Sequence, residues 1–357
     1  MEISEVGRIL KIGEFSDVAF MKKFGKCADW FRWISEQLAH KIVTDYSKPQ
    51  YLEDYRVIAL DASDVVEKGR SGQTFRLHYG LDIFKMTSVF YKITKQEVGE
   101  TLRNFELSEG DLVIADRAYG TMNGIEHCLE SKADFILRVR SNCFSLYDEQ
   151  GGKIDVLSSL GGLDYGQSTG FQAFIRRPGG LPIPVRICAK RKSESACNDT
   201  HKRLNRMASK RQMEISEGAR RLNEFIVVVS SLPDNISNED VLETYRYRWQ
   251  VECYFKRLKS ILDFGELPKK RDSSSLSWLN GKMMVALLIE ILMGSNFSPL
   301  ECTEESDAEY LEGNQDAQSH HSDEYNFISP FNERDGACLL QHASRKTATG
   351  DSIAVGA

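Results

Sequence analysis

The apolar positions of this chain fall into distinct kinds of run, and each kind predicts a different element. Between residues 15 and 43, Phe20, Phe24, Cys27, Phe31, Ile34, Leu38 and Ile42 recur at steps of three and four, the spacing of one helix face. Val57-Ile-Ala-Leu60 and Leu112-Val-Ile-Ala115 are short unbroken apolar runs, suited to central strands buried on both faces, and each leads into an aspartate, Asp61 or Asp116. On this reading both carboxylates emerge at the C-terminal ends of their strands, where open α/β sheets usually place their sites. Between the two runs, Phe75, Leu77, Tyr79, Leu81 and Ile83 alternate with mostly polar neighbours, predicting a half-buried strand with residues 87–93 as hairpin partner. Residues 97–105 read as a short helix, residues 125–129 as another, and residues 135–139 as a strand.

Farther along, Phe225-Ile-Val-Val-Val229 is one more buried strand, ended by Pro233, and Ser237 with Asp240 predicts the cap of the helix that carries Glu252. In that helix the wheel gathers Tyr245, Arg248, Glu252 and Lys259 within about 60°. Tyr247, Val251, Tyr254, Leu258, Ile261 and Leu262 fall on the opposite, core-facing side. The helix should therefore pack by one face and offer chemistry on the other. A merely solvated polar face satisfies the same periodicity.

Two apolar strands delivering an aspartate at the same end, with a hairpin and a helix between them, give an α/β class of ribonuclease-H-like order, a mixed sheet flanked by helices. Glu252 lies 136 residues after Asp116, too far for one strand and one helix, so an insertion must intervene. Residues 142–222 have that character: Gly pairs at 151, 161 and 179, β-prone runs near residues 171–175 and 184–189, then a basic helix. The resulting division is an N-terminal helical region 1–50, a first core part 51–141, a β-rich and basic insertion 142–222, a second core part 223–300, and a tail 301–357.

Charge sharpens this division. The formal net charge is -6, but the tail alone holds twelve acids against three bases, leaving 40 acids and 43 bases in residues 1–300. The body is slightly basic, and Lys190, Arg191, Lys192, Lys202, Arg203, Arg206, Lys210 and Arg211 form a cluster that suits either a DNA backbone or a solvated helix. The polar tail lacks periodicity and reads as disordered. Eight scattered cysteines without a C-x-x-C pair read as reduced thiols of a cytosolic protein, not as a zinc site. The apolar stretch 276–293 is interrupted by Asn280, Lys282 and Glu290, which favours a buried helix over a membrane span.

The spacing Tyr-x2-Arg-x3-Glu-x6-Lys, met by Tyr245, Arg248, Glu252 and Lys259, resembles the signature of a large group of bacterial insertion-sequence DDE transposases. Residues 57–63 resemble the first-acid strand of that family, residues 76–82 its second strand, and residues 112–119 its Asp-Arg-x-Tyr second-acid motif. The resemblance implies Asp61, Asp116 and Glu252 as catalytic metal ligands, with Asp64, expected just beyond the strand, as the rival first acid. It further implies Tyr245, Arg248, Lys259 and Arg117 as DNA contacts.

The implied activity is cleavage of transposon ends and joining of the 3'-hydroxyl to target DNA. Two Mg2+ ions, roughly 3.5 to 4 Å apart, would serve it, with Mn2+ as a substitute. The partners implied are double-stranded DNA, both terminal inverted repeats and target, and a second copy of the chain in a homodimeric synaptic complex, in the bacterial cytoplasm at the nucleoid and not at a membrane. A nuclease without strand transfer and a decayed or domesticated DNA-binding derivative are the alternatives.

Overall fold

The computed structural model describes residues 3–42, 46–67, 73–139, 144–177, 180–267 and 272–293. The acidic tail expected from residue 301 lies outside them.

The chain opens with α1 (Ile3–Ile9), α2 (Asp17–Phe24) and α3 (Ala28–Ala39). The single helix expected over 15–43 is thus broken: around Gly25 the backbone tightens, Lys26 N–H reaching Lys23 C=O and Cys27 N–H reaching Phe24 C=O. The apolar stripe survives the break as an aromatic ladder, Phe15–Phe20–Phe24–Phe31, with ring centroids 5.8 to 5.9 Å apart.

β1 (Arg56–Glu67), β2 (Gln73–Asp82) and β3 (Thr87–Lys95) then form an antiparallel meander. Only a 3-10 turn, Leu102–Asn104, occupies the stretch expected as a short helix. Next come β4 (Asp111–Ala115), α4 (Met122–Glu130) and β5 (Asp134–Arg138). The insertion supplies β6 (Leu146–Tyr147), α5 (Val156–Leu160), β7 (Ser168–Ile175), β8 (Ile183–Arg191), α6 (Glu194–Arg211) and α7 (Glu217–Leu222). The core resumes with β9 (Phe225–Ser230), α8 (Asn238–Arg246), α9 (Trp249–Leu262), β10 (Glu266–Leu267) and α10 (Asp272–Met293).

Among the described residues the strands make one mixed sheet in the order β3-β2-β1-β4-β5-β9-β8-β7-β6, with β10 parallel to β1. Its first five strands follow the expected ribonuclease-H-like order. β1, β4 and β5 are parallel neighbours, while the insertion lengthens the same sheet through antiparallel β8–β9 pairing.

Each face of this sheet buries its own core. On β1, Val57, Ala59 and Val65 join a cluster with Val251, Tyr254 and Leu258 of α9. Ile58 and Leu60 point the other way, into a cluster with Ile125 and Cys128 of α4. α10 packs on the α9 side by Leu279, Met283 and Ala286. It is half-buried, not wholly buried as expected, since Trp278, Val285, Leu288 and Leu292 remain exposed.

Candidate active site

The period of two along a strand decides where each aspartate points. Asp61 has the parity of Val57 and Ala59, so its side chain belongs to the face covered by α9. On β4, Leu112 and Ile114 share that face, and Asp116, one residue past the strand, continues their parity. The parallel ladder ends at Leu60↔Ala115, so Asp61 and Asp116 follow side by side. Asp61 is not at its strand's end as expected. β1 outlasts its pairing with β4 because it stays bonded to β2 as far as Val66, and it is the ladder, not the strand, that stops before Asp61.

Asp64 has likewise not left the strand. It has the opposite parity, and its cross-strand partner Arg76 donates from Nε to Asp64 Oδ1 at 2.8 Å, with Glu100 3.8 Å from the same nitrogen.

The third acid arrives on α9, but not by the single straight helix the wheel assumes. Between α8 and α9, Tyr247 and Arg248 N–H groups bond Thr244 and Tyr245 C=O, and Gln250 and Val251 N–H groups bond Tyr247 and Arg248 C=O, each three residues back. This 3-10 step leaves Tyr245 on α8 and Arg248 at the N-cap of α9. Ser237 caps α8, accepting from Asp240 N–H at 3.1 Å, and does not cap the helix that carries Glu252.

The polar stripe is turned inward. Tyr245, Arg248 and Glu252 are 5%, 2% and 6% exposed, because they face the sheet margin that carries the two aspartates. Lys259 stays exposed farther along α9, within the field of Asp64 and Asp61, while Ile261, expected in the core, is 61% exposed. Arg248 Nη1 donates to Glu252 Oε1 at 2.5 Å, and its guanidinium carbon stands 5.8 Å from the Tyr245 ring centroid.

Burial of its carboxyl, with Glu252 and then Asp116 nearby, holds Asp61 well above the ordinary carboxylate range; Arg248 and the Ala62 N–H, 2.8 Å from Oδ1, oppose this. Asp116 Oδ1 and the hydroxyls of Tyr119 and Tyr245 are buried without a hydrogen-bond partner. Orphaned carboxylate oxygen in a cluster of acids is the donor set that hard divalent cations take, so the residues fit such an ion. In the conformation described, no three His, Cys, Asp or Glu side chains among the described residues are already assembled to hold a metal.

Arg117 is turned toward the insertion, its Nη1 and Nη2 lying 3.3 and 3.4 Å from Asn223 Oδ1, and burial with Arg138 alongside lowers its pKa to about 10. The basic run divides as well. Lys202, Arg203, Arg206, Lys210 and Arg211 are exposed, but Lys192 is 3% exposed, donates to Thr200 at 2.8 Å, and is lowered to about 7 by burial and then by Arg138 and Arg117. Arg76 and Tyr119 lie beside these acids without being among the expected site residues; the alternation of residues 75–83 opposite Asp61 and Asp64 is the signal for Arg76.

Residues 53–288 match a family described as the transposase DDE domain. The chain is 27% identical over 300 residues, 81% of its length, to the transposase for insertion sequence element IS421 of Escherichia coli, covering 79% of that protein. It is similar to the same extent to InsL, a proposed transposase of insertion sequence element IS186A of Escherichia coli strain K12. A mixed sheet in ribonuclease-H-like order, three acids brought to one margin of it and a family match spanning most of the described chain agree: the chain belongs to the DDE transposases of insertion sequences, metal-dependent enzymes that cut and join DNA.

Proposed function

We propose that Asp61, Asp116 and Glu252 are the metal ligands of this transposase and act as one unit, and that the chain belongs to the Tyr-x2-Arg-x3-Glu-x6-Lys group of the family. The observation that carries this is the register of β1 and β4, which sets Asp61 beside Asp116 on the face where α9 brings Glu252. Two Mg2+ ions, with Mn2+ as substitute, would supply charge neutralisation at phosphorus and a deprotonated attacking hydroxyl. The chain's own part is to hold three carboxylates from separate elements at one partly buried site, β1 and β4 fixing two and α9 the third.

Tyr245, Arg248, Lys259 and Arg117 are the proposed contacts to the transposon-end DNA, which is cut to free a 3'-hydroxyl for attack on target DNA. The exposed bases of α6 would meet the DNA backbone. We assign residues 1–50 to an N-terminal helical region, 51–141 and 223–300 to the catalytic core, 142–222 to the inserted part and 301–357 to an acidic tail. The working form is a homodimer pairing two ends, in the cytoplasm at the nucleoid.

The test is Mg2+-dependent cleavage of a DNA fragment bearing the ends that flank the gene, by the full chain, a chain stopped after Leu300, and Glu252→Ala. Cutting by both wild-type forms and none by Glu252→Ala is the expected result. Cutting that survives Glu252→Ala would refute the assignment.

A further inference from the structure

The guanidinium of Arg248 sits where a metal's charge would be needed. Its Nη1 is 2.5 Å from Glu252 Oε1, it is 2% exposed, and the fields of Asp116 and Asp61 reach it as well. Acids brought near one another in a partly buried site repel unless a cation stands among them. Arg248 provides one, bonded to Glu252 and within the fields of Asp116 and Asp61. Its hold is incomplete, since Nε is buried without a hydrogen-bond partner. It also stands on the 3-10 step between α8 and α9, not within a regular helix.

We propose that Arg248 is a resident counter-cation of the carboxylate site that divalent metal displaces, and that the displaced guanidinium is then free for a phosphate of the bound DNA. This rests on Asp61, Asp116 and Glu252 being the metal ligands. If the guanidinium leaves Glu252 for a phosphate when metal binds, metal loading and end binding become coupled, each tightening the other by the same factor. A guanidinium suits both partners, because carboxylate and phosphate present the same two-oxygen edge to its fork.

The sign of one measurement separates exchange from simple positioning. Mn2+ affinity is measured by calorimetry on the full chain without DNA, for wild type, Arg248→Gln, Arg248→Lys and Glu252→Gln. If Arg248 must be displaced, Arg248→Gln binds Mn2+ more tightly than wild type, on the order of tenfold. Arg248→Lys falls between the two, and carries the test should the Gln variant fail to fold. If Arg248 only orients Glu252, both Arg248 variants bind Mn2+ more weakly, and that result, or equal affinity in all three, overturns the proposal. Unchanged Mn2+ binding by Glu252→Gln would instead sink the ligand assignment beneath it. In a second arm, Ca2+ tightens binding of a duplex carrying the flanking inverted repeat to wild type more than to Arg248→Gln; an equal gain in both overturns the exchange.

Discussion

Asp61 and Asp64 stand three residues apart on one strand and are held in opposite ways. Asp64 meets its own cation, Arg76, across the hairpin at 2.8 Å, and both side chains are nearly buried. Asp61, on the other face, meets more acid: Glu252 and Asp116 raise its pKa further after burial has already done so, and the nearest guanidinium is engaged with Glu252. A buried acid with its own partner is scaffold, since losing either partner strands the other. A buried acid among a surplus of acids is destabilising as it stands, and such a cluster is where an external cation gains most.

The largest expected difference is in chemistry. Asp61→Ala should lower metal-dependent cleavage by more than about a thousandfold, with end binding largely retained, because a metal position loses its ligand. Its metal-free stability in urea should stay level or rise, since the substitution removes a carboxyl the fold holds unfavourably. Asp116→Ala and Glu252→Ala should lose cleavage to the same extent as Asp61→Ala, measured on the same DNA fragment. A fully active Asp61→Ala beside a catalytically dead but stable Asp64→Ala would reverse the comparison.

The second difference is in stability. Asp64→Ala leaves buried Arg76 with Glu100 and the Val98 C=O, and should cost about 3 kcal/mol in denaturant unfolding. Cleavage should persist at temperatures where the variant is folded. A loss below about 0.5 kcal/mol, the size expected at an ordinary surface position, would mean that the Arg76 pair contributes nothing to holding the hairpin.

Much of this contrast is legible in the sequence, and the rest is not for identifiable reasons. Two unbroken apolar runs that each deliver an aspartate suit strands buried on both faces, and the period of two then fixes which residues share a face. That β1 continues through Asp64 depends on pairing with β2 and β10, residues distant in the chain that the local pattern of residues 61–64 does not mention. The helix wheel groups Tyr245, Arg248 and Glu252 correctly, yet it assumes 100° at every step, and a 3-10 joint at Tyr247 and Arg248 departs from that without Gly or Pro to announce it. Amphipathicity also assigns the polar stripe to solvent, whereas here it faces a polar site. Lys192 differs in sequence from the exposed lysines around it in nothing but its place at the end of β8, where Thr200 and the sheet enclose it.

A further acid on the α9 side, Glu290, separates the effect of burial from the crowding of acids. Glu290 on α10 lies next to Tyr254 and Arg257, its Oε2 buried without a hydrogen-bond partner, and burial raises its pKa from 4.5 to about 7. No other acid contributes to that shift. The folded state therefore holds this proton more tightly than the unfolded chain does. The stability it contributes is whole below pH 4.5 and is lost as the pH rises through about 7. With some screening by solvent, the loss should be about 2 kcal/mol by pH 8. Glu290→Gln mimics the protonated acid, so urea midpoints of the two proteins should nearly coincide at pH 4.5 and separate at pH 8, with the Gln variant the more stable. Because no acid acts on Glu290, and Tyr254 and Arg257 oppose the rise, this separation measures what burial does to a carboxyl on this face without crowding by other acids. At Asp61 the fields of Glu252 and Asp116 add to a burial that is already the largest cause of the rise, while Arg248 and the Ala62 N–H oppose it. Equal midpoints at both pH values would mean that Glu290 is solvated after all, and would remove burial as a sufficient cause for Asp61 as well.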